Sequence, residues 1–365
     1  MKKKKWTRYL VPGLIFQSVL IGGGYGTGAE IAQYFGTSGM VGGMLGMAVT
    51  LVVWCVLVAV TFEFTRVFKT YDYGSMMGRL LGKAGVLYDV CYYVMMLIVL
   101  GVVNATAGSM MSSLTGMSTW LGVGIVSVGV ILLVLKGTEA IEKVLSFWSY
   151  VLYAVYIIFL IVVFVKFGDN ISGELAKGEI NSGWFGRGMS YAFYNLVIVP
   201  LILYTVRDVD SRKEAVGTGI LAGVIGIIPA ILLLLVMGCD MSTVVAAETP
   251  VTVVFDLIDT RWLYILFEIV LFGTLIETGT GFIKAVDDRI EVAVSKGGTR
   301  EVAKWVRPVI VVGMTIIGIC VSTFGLTGLI AKGYGTACYG FLIVYAIPML
   351  TIGIYKIVKH GKSAE

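Results

Sequence analysis

Long apolar stretches separated by short polar segments dominate the whole sequence. About 20 consecutive apolar residues are enough to cross a bilayer as a helix. Stretches of this kind lie at roughly 9–34, 38–66, 84–111, 118–135, 139–166, 188–206, 214–238, 261–284, 303–323 and 328–356. The pattern predicts an all-α polytopic membrane protein with ten transmembrane helices, forming a single transmembrane domain over residues 1–365.

Positive charge tests the number of spans, because short cytoplasmic loops carry an excess of Lys and Arg. If the N-terminus is inside, the outer side receives only Lys166, Lys177, Arg187, Arg261 and Lys332. All other assigned basic residues fall on the inner side, which predicts cytoplasmic N- and C-termini. The basic start, Met1–Lys5, resembles a signal peptide. We interpret it as the anchor of a retained first helix, because no A-x-A-like cleavage site follows.

Composition narrows the possible functions. The chain is 58% hydrophobic and 14% charged, so little of it is expected outside the bilayer. The one histidine, His360, lies in the C-terminal tail, and the five cysteines form no CxxC pair, so neither a metal site nor a disulfide framework is predicted. The net charge of +5 is accounted for by the loops, and no nucleic-acid partner is expected.

The first span is interrupted by glycines between Gly22 and Gly28, and Glu30 follows directly. Each glycine costs roughly 1 kcal/mol in a helix relative to alanine. Irregular backbone at membrane depth is found where it is buried in protein or lines a cavity. Transporters use such a break to direct helix ends and carbonyl groups at a solute and an ion. The alternative is close helix packing, since Gly22/Gly26 and Gly24/Gly28 are small-xxx-small pairs.

The sixth span contains a second candidate break around Asn195 and Pro200. Proline removes a backbone donor and clashes with the carbonyl four residues earlier, here that of Leu196. Alone it would indicate only a kink. Two interrupted helices at matching positions of oppositely oriented halves, 1–166 and 186–357, predict a five-plus-five inverted repeat with helices 1 and 6 discontinuous.

This arrangement resembles the LeuT fold of the amino acid–polyamine–organocation (APC) superfamily. More narrowly, the Gly22–Glu30 stretch in a ten-span chain of this length resembles the YkvI family of bacterial membrane proteins. The resemblance implies a multi-pass protein of the bacterial cell membrane. It also implies secondary transport, with a solute site at the bilayer midplane between the two breaks.

In LeuT-like transporters, the backbone at the two breaks holds the solute. The resemblance therefore implies substrate-binding positions at Gly22, Gly24, Tyr25, Gly26, Gly28, Phe193, Tyr194, Asn195 and Leu196. Asn104 in span 3 is expected to face the same site. A sodium site of this fold uses helix 8 hydroxyls, which corresponds to Thr274 and Thr278. Here Glu277 lies between them, so H⁺ and Na⁺ both stay open as the coupling ion, and a structural pair with Lys284 is the alternative. No other cofactor is expected.

Other charged residues predict the closures of the site. Glu30 is expected to pair with Lys332 on the outer side, either as a gate or as a structural ion pair. Arg8 is expected to pair with Asp287 or Asp288 on the inner side. Glu268 lies on the opposite helix face from Glu277, so we expect it to partner Lys332 or Arg187.

The function predicted from sequence is secondary active transport of a small organic solute. An excess of intramembrane acids favours an amino acid or related amine, while Tyr25, Phe193 and Tyr194 leave a nucleobase-like solute open. Two Gly-Tyr-Gly segments, at 24–26 and 333–335, leave open an ion channel with a backbone-lined pore. An enzyme is not expected, because neither HExxH nor GxSxG occurs. The expected partners are the solute and the lipid bilayer, and no oligomeric state is predicted.

Overall fold

The structure is a computed structural model that describes residues 5–136, 138–295 and 305–362, which are helical almost throughout. Eight of their helices are long and apolar enough to cross a membrane: Met40–Phe68, Tyr73–Thr115, Thr119–Lys136, Val151–Ala176, Trp184–Val206, Arg212–Met237, Arg261–Lys284 and Leu326–His360. Val306–Ser322 is apolar but shorter.

The helices are labelled in chain order. They are α1 Lys5–Leu20, α2 Gly23–Gly26, α3 Ala29–Tyr34, α4 Met40–Phe68, α5 Tyr73–Leu81, α6 Gly85–Thr115, α7 Thr119–Lys136, α8 Thr138–Ala176, α9 Trp184–Tyr194, α10 Arg212–Met237, α11 Met241–Ala246, α12 Pro250–Ile258, α13 Arg261–Ser295 and α14 Val306–Ser322. A 3-10 segment, Asn195–Val206, continues α9. The last helix, Leu326–His360, mixes α and π turns and is called the C-terminal helix.

The first span is broken as predicted. The helix stops at Leu20, resumes for one turn in α2, and is interrupted again at Thr27 and Gly28 before α3. Gly28 has φ +81°, a conformation that glycine adopts without strain. A short helix, α12, also contacts this break. Its Val251 N–H donates to the Thr27 carbonyl at 3.0 Å, so α12 is bonded to the broken helix.

The sixth span departs from the prediction, because its backbone stays helical through Pro200. Winding tightens from α to 3-10 at Asn195, before the proline is reached. In an α-helix, Pro200 would clash with the Leu196 carbonyl. The change to 3-10 winding avoids this clash. A 3-10 stretch in the middle of a helix often marks a hinge.

Two spans are longer than expected. The fifth continues past residue 166 to Ala176, across a kink at Phe167. The eighth continues to Ser295, where the sequence predicted a loop from residue 285. An additional short helix, α5, precedes α6.

Packing brings the interrupted elements to the centre. α10 packs on α1 and α4, α4 packs on α9, and α13 packs on α6, α7 and α8. α2 lies against α6 and α13, so the broken first span is surrounded by protein. This satisfies the condition under which irregular backbone survives at membrane depth.

Candidate functional site

A narrow central cavity of about 30 Å³ lies between the break in the first span and the start of the 3-10 segment. Such a volume holds roughly one water molecule, so the walls are closed on each other. The wall residues are Val19, Leu20, Gly22, Gly23, Glu30, Met95, Val99, Val102, Val103, Tyr194, Asn195, Val197, Ile198, Thr278, Phe282 and Tyr334.

The glycines of the first span have two separate uses. Gly22 lies on the cavity wall, and a methyl group built on it would be 3.7 Å from Thr278 Oγ1 of α13. Gly26 faces α13, where an added methyl group would lie 2.2 Å from Leu271 Cδ1. The cavity and the helix-packing interpretations of this stretch therefore both hold, at different residues.

Glu30 is the carboxylate of the cavity. Its side chain is 5% exposed, and its Oε2 accepts a hydrogen bond of 2.5 Å from the Tyr194 hydroxyl. Its Oε1 lies 2.5 Å from where a methyl group on Gly24 would be, so an alanine at that position would displace the carboxylate. Among the residues that the structure describes, Glu30 has no ion pair.

Tyrosine rings surround this carboxylate and join three elements. Tyr194 of α9 stacks on Tyr334 of the C-terminal helix, with ring centroids 4.7 Å apart. Tyr34 of α3 lies 5.4 Å from Tyr194, and its hydroxyl donates to the Ile330 carbonyl at 3.0 Å. The first span, α9 and the C-terminal helix are thereby held together beside the cavity.

Two more tyrosines complete this cluster, and their hydroxyl groups are unsatisfied. The hydroxyl oxygens of Tyr25 and Tyr191 are buried and have no hydrogen-bond partner within the described ranges. A buried hydroxyl without a partner costs free energy. The cluster therefore contains two hydroxyl groups whose hydrogen-bonding capacity is not used in this closed packing.

The ion-coupling residues predicted on α13 are separated by the helix. Thr278 lies on the cavity wall beside Gly22. The Thr274 hydroxyl donates to the Val270 carbonyl of its own helix at 3.1 Å. Glu277 does not line the cavity and interacts electrostatically with Tyr153 of α8. Thr278 is thus the member of this group that directly adjoins the broken backbone.

The predicted closing pairs are replaced by others. Glu30 turns inward to Tyr194, while Lys332 lies on the far side of the C-terminal helix, in a separate groove. Arg8 binds the Asp208 carbonyl at 2.7 Å and the Asp210 carboxylate at 3.1 Å, which joins the start of α1 to the end of the 3-10 segment. The side chains of Asp287 and Asp288 lie outside the described residues.

Glu268 also has a different neighbour from the one expected. It is 2% exposed, and Tyr264, one turn away on α13, is close enough to feel its charge, although neither the Tyr264 hydroxyl nor Glu268 Oε2 has a hydrogen-bond partner within the described ranges. Arg187 instead donates to Ser38 Oγ at 2.8 Å. Within the described ranges, Glu268 therefore forms no ion pair with Arg187 or Lys332.

Several predicted substrate-binding residues lie off the cavity wall. They are Gly24, Tyr25, Gly26, Gly28, Phe193 and Leu196, which pack behind it. Asn104 lines a separate cleft of about 390 Å³ and accepts a hydrogen bond from Ser127 at 3.0 Å. Gly22, Tyr194 and Asn195 are the predicted positions that reach the wall.

Tyr334 and Phe282 were missed from sequence. Tyr334 lies in the second Gly-Tyr-Gly segment, for which the sequence left open a backbone-lined channel pore as an alternative. Both Gly-Tyr-Gly segments are helical, so their carbonyl groups do not form the extended loop of such a filter.

No protein-family model matches the chain, and no curated protein matches it by sequence. Several solved structures, however, are similar to the chain in fold. A Na⁺-coupled sialic acid symporter, in its substrate-bound outward-open state, aligns with a TM-score of 0.67 at 10% identity, over 91% of this chain and 78% of the symporter. MhsT in complex with L-phenylalanine gives 0.60 at 14% identity, over 98% of both chains.

Mhp1, a nucleobase-cation-symport-1 family transporter solved closed around bromovinylhydantoin, gives 0.59 at 12% identity, over 89% of this chain and 74% of its own. The chain thus has the LeuT fold of these transporters and is a multi-pass membrane protein. The narrower resemblance to the YkvI family stays a prediction.

Proposed function

We propose that the chain is a secondary active transporter of a small organic solute, most specifically an amino acid or related amine, driven by Na⁺ or H⁺ through alternating access. In this proposal ten spans form two inverted five-helix repeats, and both termini lie in the cytoplasm. The observation that carries the proposal is the position of Glu30 on the wall of the central cavity.

The chemistry of Glu30 favours a cationic solute. A carboxylate buried without a counter-ion is costly, and intramembrane ionisable groups are commonly functional. Its charge must be balanced by a proton or by a cation that enters the cavity. Tyrosine faces attract ammonium groups, and the stacked rings of Tyr194 and Tyr334 on the cavity wall beside Glu30 would offer such faces once they part. An amine therefore satisfies both the charge and the aromatic wall.

The closed walls support alternating access. The cavity of about 30 Å³ is too small for an amino acid, so the rings over it must separate to admit one. Tyr194 and Tyr334 belong to different helices, and α9 changes winding immediately after Tyr194. A relative movement of these helices would enlarge the cavity without unfolding either.

Sodium coupling is supported by the contact between Gly22 and Thr278. Unwound carbonyls of transporter helices coordinate Na⁺, and a hydroxyl beside them supplies a further oxygen. We expect Thr278→Val to weaken the apparent Na⁺ affinity of solute binding by at least about tenfold, because even indirect changes at metal sites have effects of that order. The measurement is the Na⁺ concentration for half-maximal solute binding.

Thr315→Val is the control, since Thr315 is a buried threonine of another apolar helix, and its hydroxyl donates to the Val311 carbonyl of α14, whereas Thr278 is half-buried on the cavity wall. If Thr278→Val leaves the Na⁺ dependence unchanged, Thr278 is not an ion ligand. Solute binding that responds to pH and not to Na⁺ would instead assign the coupling to H⁺.

The proposed function is tested with the wild-type protein in proteoliposomes. Amino acids, amines and nucleobases are screened first by thermal stability, because a ligand at about 100 times its Kd stabilises by roughly 2.7 kcal/mol. Hits are then tested for uptake driven by a Na⁺ or pH gradient. Saturable, gradient-driven uptake of an amine supports the proposal, a nucleobase hit changes the solute class, and unitary currents without solute would replace transport by a channel.

A further inference from the structure

The C-terminal helix has a second functional face, directed away from the cavity. Tyr334 points inward to the central cavity, whereas Lys332, Gly333 and Thr336 line a groove on the outside of the bundle. Val94 and Ile98 of α6 form the opposite wall of this groove. The groove has a volume of about 510 Å³, much larger than the central cavity.

The groove is apolar and faces the lipid. Val90 and Val94 are 56% and 50% exposed, and Phe324 at one end is 75% exposed. Its floor is closed by contact between the helices, because a methyl group on Gly333 would lie 2.8 Å from Ile98 Cγ2. An elongated apolar groove on the surface of a membrane-spanning bundle fits a hydrocarbon chain.

Lys332 gives the groove a positive charge. It is exposed, and within the described ranges it forms no ion pair. Lys332 lies in the second turn of the C-terminal helix, which begins at Leu326, and a lysine this close to the end of a membrane helix can extend its ammonium group to the headgroup level.

We propose that this groove is a binding site for an anionic phospholipid, with one acyl chain between α6 and the C-terminal helix and the phosphate at Lys332. Charge complementarity selects this occupant, because a lone ammonium group at headgroup level attracts anionic lipid while the apolar walls accept the chain. The site is separate from the solute cavity, although Lys332 and Tyr334 belong to the same helical turn.

The test compares phosphatidylglycerol with phosphatidylcholine of the same acyl chains, by native mass spectrometry and thermal stability of the full-length protein. Wild type should retain phosphatidylglycerol preferentially. Lys332→Gln should reduce that preference by roughly fivefold, the effect of about one basic residue near an anionic surface. The control Lys83→Gln removes another exposed lysine, outside the groove, and should change nothing.

A second variant tests the acyl-chain half of the site. Thr336→Phe fills the groove while leaving Lys332 in place, and it should weaken retention of both lipids. Equal lipid preference in wild type and Lys332→Gln would overturn the proposal, as would unchanged retention in Thr336→Phe. If lipid-free wild type is a dimer that Thr336→Phe converts to a monomer, the groove is occupied by a second copy and the proposal is wrong.

Discussion

Glu30→Gln is expected to abolish high-affinity amine binding and the transport that depends on it. The substitution keeps the size of the side chain and an oxygen that accepts from Tyr194, but removes the negative charge of the cavity. Losing one partner of a buried charge pair costs about 2–5 kcal/mol, which is a loss of affinity of roughly 30-fold or more. The measurement is a binding isotherm for the best amine, with uptake in proteoliposomes as the second readout.

Glu277→Gln provides the matched control, because it is the same chemical change on a carboxylate that does not line the cavity. We expect this variant to keep its solute affinity. Tyr194→Phe, which removes the hydroxyl donor and retains the ring, should have a smaller effect than Glu30→Gln. Wild-type affinity in Glu30→Gln would contradict a charge interaction between Glu30 and the solute. A selective loss in Glu277→Gln would transfer the binding role to α13.

Gly122→Ala is expected to give the largest loss of stability. A methyl group on Gly122 of α7 would lie 2.0 Å from the Ala107 carbonyl oxygen of α6 and 2.7 Å from its carbon. Both are backbone atoms, so the helices would have to separate, and we expect a loss of stability at or above the roughly 1–3 kcal/mol that overpacking typically costs. The measurement is the Tm of the purified variant and its yield of monodisperse protein.

Gly124→Ala on the same helix isolates the contact. No atom lies within 4 Å of a methyl group built there, so only the gain in helix propensity, about 1 kcal/mol at most, applies. We expect its Tm to equal or exceed that of wild type. Equal Tm values for the two variants would show that α6 and α7 are not packed as closely as the structure has them.

Features with a local cause were predictable from sequence. The break at Gly22 follows from glycines that disfavour a helix, and the short α12 follows from Pro250 at a helix start. Tyr194 and Asn195 were placed at the cavity by the resemblance to LeuT-like transporters, which drew attention to the residues before Pro200. In each case the residues that produce the conformation lie within a few positions of the site they build.

Partners across helices were not predictable, because they depend on how each helix is rotated. Lys332 and Tyr334 are two positions apart, and yet one lines the lipid-facing groove and the other the cavity. A prediction that fixed only the depth of Lys332 therefore paired it with Glu30. Hydropathy indicates how deep a residue lies along its span. The direction in which it faces is set by contacts between helices, such as that of Gly333 with Ile98.

The hydrogen bond between Val251 of α12 and Thr27 of the first span allows one backbone amide to report whether the cavity opens on the α12 side. Val251 is in the first turn of α12, where a helix leaves its N–H groups without internal partners, and the Thr27 carbonyl supplies one. While α12 stays on the break, that hydrogen is protected from exchange with solvent deuterium. If the cavity opens by lifting α12 alone, exchange at Val251 measures the open population; if α12 and the broken helix move as one body, Val251 stays protected through the cycle.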